Sequence, residues 1–396
     1  MIGKLNEKKA LSLLMEFLSI EGITGKEKLI AKAVEHSLIS FGVPKKFIFF
    51  DNVKNKIPLS TETGNLIVKL PGTIKGHRKL FMTHLDTVPL CSGAVPIKKN
   101  NKIVSQNNTA LGGDNRTGVA CLVNMLIHLL KNKLPHYPLT ILFTVREESG
   151  LWGARYVNKK DLGNPIYGYN IDGMSPKILT IGAVGADRWQ VKLFGKAAHA
   201  GVEPEKGISV SIVASLALSE IYKKNWFGKI NKKGNIGTSN IGSISGQDNL
   251  SAGNATNVVT DFVKVTGESR SKNIKFISDI TKAYRTEFYK ASKIVRNNLG
   301  KFSKIKFHSE RGYFPFLLKK NNYVIKNSIS VAKSLGWISK LEFSHGGLDA
   351  NWTVRHGIPT ITFGAGQNKI HTKEEFIKIN DYLSACRYAI ALATKI

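Results

Sequence analysis

The chain has 396 residues, and its 58 Lys plus Arg against 28 Asp plus Glu leave a formal charge of +30. That length exceeds what one hydrophobic core usually serves, so two domains are expected, and three unpatterned cysteines fit a reducing cytoplasm. No apolar run approaches a membrane span, and the basic residues are scattered doublets such as Lys45-Lys46, Lys159-Lys160 and Lys319-Lys320 with no nucleic-acid-binding motif beside them, so the charge reads as compositional bias and neither a membrane nor a specific nucleic acid is expected as partner.

Residues 11–20 are apolar but interrupted by Glu16, follow Lys8-Lys9 and lack a small-residue cleavage site; they predict an amphipathic first helix, not a signal peptide. Apolar runs at 79–83, 139–145, 166–171 and 359–363 predict short buried strands. Residues 115–130 are apolar-periodic and long enough for a helix, opened by Leu111-Gly112-Gly113-Asp114. The texture then changes: strand 188–196, helix 207–224, strands 236–245 and 258–268, helix 274–297, strand 304–308. That order is β-α-β-β-α-β, the ferredoxin-like split arrangement. From about residue 314 the pattern returns to helix, strand, helix. The expected fold class is therefore α/β, a mixed sheet flanked by helices in a discontinuous domain of 1–185 and 314–396, with an α+β ferredoxin-like domain of 186–313 inserted in it.

Where the apolar runs give way to Gly-, Asn- or Thr-rich sequence stand His84, Asp86, Glu147, Glu148, Asp172 and, far downstream, His371; Asp114 opens the helix. In open α/β sheets the ligand crevice lies beyond the carboxyl ends of the strands. Adjacent buried carboxylates such as Glu147-Glu148 repel and cost several kcal/mol without a cation; a bound dication removes the difficulty. Extended backbone puts His84 and Asp86 on one face, so Asp86 is expected to accept a hydrogen bond from the ring nitrogen of His84 that is not on the metal. Glu147 and Glu148 diverge, leaving one to bind metal and the other to face water. Other chemistries lack their patterns: no Gly-x-Ser-x-Gly elbow occurs at 243–246 or 344–347, the glycine-rich 234–246 has no phosphate-loop end, and Cys121 reads as a buried structural thiol.

Five blocks, MTHLDTVP at 82–89, LGGDNRTG at 111–118, FTVREESG at 143–150, NIDG at 170–173 and IHTKEE at 370–375, resemble the M20 metallopeptidases, and within them the peptidase T-like branch. The resemblance implies a zinc-peptidase-like catalytic domain with two zinc ions per chain, cobalt or manganese being possible substitutes. One ion would be held by His84, Asp114 and Asp172, the other by Asp114, Glu148 and His371, with Asp114 bridging. Glu147 would be the general base and Asp86 the orienter of His84. Residues 186–313 would be a lid through which a homodimer forms, its His199 (in GKAAHAG, 195–201) reaching the oxyanion, and its Arg270 and Asn257 binding substrate. The implied activity is hydrolysis of short peptides, foremost as a tripeptide aminopeptidase in the cytoplasm. A carboxypeptidase, dipeptidase or N-acyl amino acid deacylase is the alternative on the same metals, and a non-catalytic basic binding protein the alternative from another class. Arg146, Leu348 and Trp352 depart from the family pattern; Arg146 is expected to point away from Glu147.

Overall fold

Apolar runs without alternation fold here as strands covered on both faces. In the computed structural model, which describes residues 3–253 and 255–394, the chain begins with α1 (Glu7–Leu18), α2 (Lys28–Ser40), β1 (Ile48–Phe50), β2 (Leu66–Leu70), β3 (Lys79–His84), β4 (Pro96–Lys99), β5 (Lys102–Ser105), α3 (Gly113–Lys131), β6 (Leu139–Thr144), α4 (Trp152–Tyr156), β7 (Tyr167–Ile171) and β8 (Ile178–Ala183). Then come β9 (Gly185–Phe194), α5 (Val210–Lys223), β10 (Gly228–Lys232), β11 (Asn235–Ser245), β12 (Phe262–Ser271), α6 (Ile274–Ile294) and β13 (Lys304–Tyr313). The last stretch holds β14 (Phe316–Leu317), α7 (Tyr323–Ser334), β15 (Lys340–Ser344), α8 (Ala350–Arg355), β16 (Thr360–Phe363), β17 (Gln367–Asn368), β18 (Phe376–Lys378) and α9 (Ile379–Thr394). Residues 3–183 with 317–394 form one compact unit and 184–316 another; residues 1–2, 254 and 395–396 of the expected domains lie outside the described residues.

In the first unit a nine-stranded mixed sheet runs β1-β2-β6-β3-β7-β16-β8-β14, with β15 beside β8. Its centre is parallel: β3 pairs with β6 and β7, and β16 with β7. Every residue of β3, β6 and β7 is buried, as expected of central strands covered on both faces. Helix α3 is buried almost all round, a property of helices inside a large core. A small sheet β17-β18-β5-β4 lies in the same unit. Lys79, 2% exposed at the start of β3, sends its ammonium to the Leu392 carbonyl (2.8 Å) and so ties the sheet to the last turn of α9. Helix α2 and the β4–β5 hairpin are additions to the elements expected from sequence.

The second unit is a five-stranded sheet in the order β10-β11-β12-β9-β13. Strand β9 alternates buried and half-buried positions from Asp187 onward, the signature of one covered face, and α6 buries Phe276, Ile280, Tyr284, Phe288 and Ala291 at helical spacing. Asn273 caps α6, its side chain accepting from the Lys275 and Phe276 N–H groups. The expected β-α-β-β-α-β order is corrected by one strand. Strand β10 carries Lys229, Asn231 and Lys232, too polar to read as a strand, but Lys233 and Gly234 both take positive φ (50° and 77°) and close the tight turn joining it to β11. The strand expected at 258–268 begins instead at Phe262.

Candidate metal centre

Parallel neighbours β6, β3 and β7 deliver their carboxyl ends to one place. His84 is the last residue of β3, Glu147 and Glu148 follow β6, and Asp172 directly follows β7. Asp114 comes from the first turn of α3, where its backbone is not yet helical (φ −84°, ψ 100°). His371 arrives on the loop after β17 with a left-handed backbone (φ 61°).

These six side chains converge. His84 Nε2 lies 3.1 Å from Asp114 Oδ1 and 4.0 Å from Asp172 Oδ1. His371 Nε2 lies 3.2 Å from Asp114 Oδ2 and 2.9 Å from Glu148 Oε1. Asp114 thus turns one carboxylate oxygen toward each imidazole. One donor atom from each of His84, Asp114 and Glu148, and likewise from each of His84, Glu147 and Asp172, fits within 4.8 Å of its partners.

The electrostatics show which charge the cluster favours. Burial, aided by Asp114, pushes the Glu148 carboxyl up to about 7 and Asp172 up to about 6. Burial also lifts Glu147 well above the carboxylate range, with Glu148, Asp349 and Asp172 adding to the shift against the pull of His84. Hydrogen bonds to Asp114 and Glu148 raise His371 to about 10. For His84, burial alone would lower the ring, but Glu147 and the bonds to Asp114 and Asp86 outweigh it. Asp114 is likewise pushed up by burial and then held low by both imidazoles. The cluster therefore draws positive charge onto its histidines. Imidazole nitrogens and carboxylate oxygens at this density suit a borderline dication such as zinc, so the residues fit a metal site.

Asp86 faces His84 as expected and has further partners. The His84 Nδ1–H points at the Asp86 backbone carbonyl (3.0 Å), with the carboxylate at 3.5 Å. The carboxylate also accepts the N–H of Glu147 (3.0 Å) and of Glu148 (3.1 Å). It orients the two glutamates by their backbone. Arg146 points away: its guanidinium binds the Thr61 hydroxyl (2.7 Å) and the Ser60 carbonyl, and its N–H binds buried Glu27.

Four further residues belong to the surroundings. Glu375, which ends the IHTKEE block, accepts the N–H groups of Leu111, Gly112 and Asp114 (2.8, 2.8 and 3.0 Å) and pins the loop that presents Asp114. Buried Arg116 donates to the carbonyls of Phe17, Ile20 and Leu85, the last between His84 and Asp86. Asp349, 1% exposed, accepts the Thr144 hydroxyl and is pushed up to about 7 by burial. Gln367 donates to both Asp172 and Asp114. Glu375, Arg116 and Asp349 sit inside or beside recognisable blocks; Gln367 carries no sequence signal.

His199, Asn257 and Arg270 lie in the second unit. The exposed His199 is bridged to Val258, and the Ala200 N–H binds the Asn257 carbonyl (2.8 Å), so the two segments run side by side. Arg270, on β12, is ion-paired with Glu268 at 2.8 Å. Cys91, Cys121 and Cys386 are buried and unbridged, and among the described residues no helix is long and apolar enough to cross a membrane.

The chain matches the sequence profile described as Peptidase family M20/M25/M40 over residues 80–395. It is 30% identical over 392 residues to the uncharacterized protein YqjE of Bacillus subtilis strain 168, covering 98% of each chain. Its fold is similar to that of aminopeptidase PepT from Bacillus cereus, with 28% identity, a TM-score of 0.81 and 99% of both chains covered. It is also similar to a tripeptidase from Staphylococcus aureus, with 28% identity, a TM-score of 0.85 and 99% of both covered.

Proposed function

Because the chain belongs to peptidase family M20/M25/M40 and is thus an enzyme that hydrolyses peptide bonds, we propose that it is a zinc aminopeptidase of short peptides, tripeptides foremost. The observation that carries this reading is Asp114, whose two oxygens face two separate groups of ligands. His84, Asp114 and Asp172 would hold one ion, and Asp114, Glu148 and His371 the other. A bound pair supplies a Lewis acid for the scissile carbonyl and an acidified water.

The chain's own groups do the rest. Glu147, whose carboxyl burial raises well above the usual carboxylate range, takes the proton from the attacking water and passes it to the leaving amine. Asp86 fixes the backbone of Glu147 and Glu148, so base and ligand keep their separate aims. To the second unit we assign substrate contacts, His199 at the developing oxyanion, Asn257 beside it and Arg270 at the peptide carboxylate, together with the pairing of two copies. The aminopeptidase and tripeptidase activities named for the two solved relatives support the choice of substrate.

The test is a panel of di-, tri- and N-acetylated peptides with the zinc-reconstituted chain. Tripeptides with a free amine are cleaved and their acetylated forms are not. Cleavage confined to acetylated substrates would move the assignment to a deacylase or carboxypeptidase, and a chain that cleaves peptides with no bound metal by elemental assay would sink it.

A further inference from the structure

Gln367 is 1% exposed and lies among charges it does not share. Its Nε2 donates to Asp172 Oδ1 at 3.0 Å and to Asp114 Oδ1 at 3.3 Å. Its Oε1 accepts the Thr117 hydroxyl at 3.0 Å. A side-chain amide has two N–H donors and a carbonyl oxygen, and here the hydroxyl holds the oxygen end while each N–H meets one carboxylate.

The backbone under it leaves no freedom to drift. The Ala365 N–H binds the Gly173 carbonyl (2.9 Å) and the Gly366 N–H binds the Met174 carbonyl (2.8 Å), zipping the segment before Gln367 onto the loop that carries Asp172. On the other side Gln367 is in register with Ile377 of β18. Gly366 takes a left-handed φ of 94°, and a Cβ there would meet the Lys378 carbonyl oxygen at 2.6 Å. Gln367 therefore reports the position of the Asp172 loop to the start of α3, from which both Asp114 and Thr117 project.

We propose that Gln367 is a positioning residue that clamps Asp114 and Asp172 into one converging pair and so sets the affinity of the ion they share with His84. This rests on the metal reading above. Two buried carboxylates that converge on one amide repel each other. A neutral donor relieves that repulsion by hydrogen bonds. A lysine would do the same with a charge that opposes cation binding, and a carboxylate would add to the repulsion. Groups that hydrogen-bond to ligands typically contribute about 10- to 100-fold in metal affinity.

Cobalt(II) titration of the metal-free chain, followed by visible absorption and calorimetry, tests the clamp. The unmodified chain takes up two ions. Gln367→Met, which keeps the length and removes both N–H groups, weakens one of the two steps by about 10- to 100-fold and leaves the other within a few-fold, with the metal-free melting temperature lowered by the loss of buried hydrogen bonds. Thr117→Val, which frees the amide to turn, weakens the same step by less, and it carries the test if Gln367→Met does not fold. Two cobalt affinities equal to those of the unmodified chain in both variants overturn the clamp while leaving the metal reading intact, as does an equal loss in both steps. An unmodified chain that binds no cobalt overturns the metal reading, and the clamp with it.

Discussion

Glu147 and Glu148 are adjacent, both largely buried and both displaced upward, yet they are not equivalent. Glu148 meets the His371 ring at 2.9 Å, whereas among the described residues no hydrogen-bond donor reaches the Glu147 carboxylate. Three carboxylates raise Glu147 by their charge. A carboxylate without a permanent donor is free to exchange a proton with water. Glu147→Gln is accordingly expected to keep its bound metal and to lose turnover by about 10²- to 10⁴-fold; kcat and metal content measured on the same sample check it, and a near-normal rate would remove Glu147 from the proton transfer. At this scale much of the site was legible, because His84, Asp114, Glu147, Glu148, Asp172 and His371 mark the ends of apolar runs or open a helix. The further partners of Asp86 were not. Extended backbone after β3 predicts which face the side chain takes, but not that two N–H groups from the turn after β6 also bind it. Gln367 was invisible for a similar reason, since its partners are 195 and 253 positions away in sequence.

Among the elements, β3 and α9 are joined by a device whose effect depends on pH. Burial draws the Lys79 ammonium down from 10.5 to about 8, while its only hydrogen-bond partner in the described residues is the Leu392 carbonyl and the Tyr137 ring lies 4.5 Å from it. Between those two values the unfolded chain binds a proton that the folded chain has released, so the contribution of Lys79 to stability rises with pH from about 8 to about 10.5, and its cost is complete below 8. The full change is on the order of 3 kcal/mol. Urea unfolding of the chain and of Lys79→Met across this range should show their free-energy difference moving by that amount in favour of the unmodified chain; a constant difference would contradict it. The central strands themselves were readable because burial on both faces demands unbroken apolar runs. Strand β10 was not, because it is exposed at Lys229 and Lys232 flanks it with charge, and only the backbone of the Lys233-Gly234 turn fixes its pairing.

For the whole molecule, the change of texture near residue 185 and the return near 314 were legible as an insertion, since the periodicities of sheet and helix restart there. Residues 184–316 enclose their own core, with Trp189, Val191, Leu193, Val213, Ile221, Val265, Ile280, Tyr284 and Phe288 packed together. That segment, made alone, is expected to unfold in one cooperative transition with a stability of roughly 5–15 kcal/mol; a gradual, structureless melt by circular dichroism would show that it depends on the rest of the chain. Which side chains of this unit serve the substrate is beyond periodicity, because exposed loops such as that of His199 obey no pattern. The late position of His371 has a consequence for biosynthesis. Until the ribosome has passed that residue, Asp114 and Glu148 lack the imidazole that neutralises them, and the nascent chain carries a cluster of mutually repelling acids. Any cation held by these groups would thereby wait for the synthesis of His371, and a premature stop before that residue yields a polypeptide without the imidazole that meets Asp114 and Glu148.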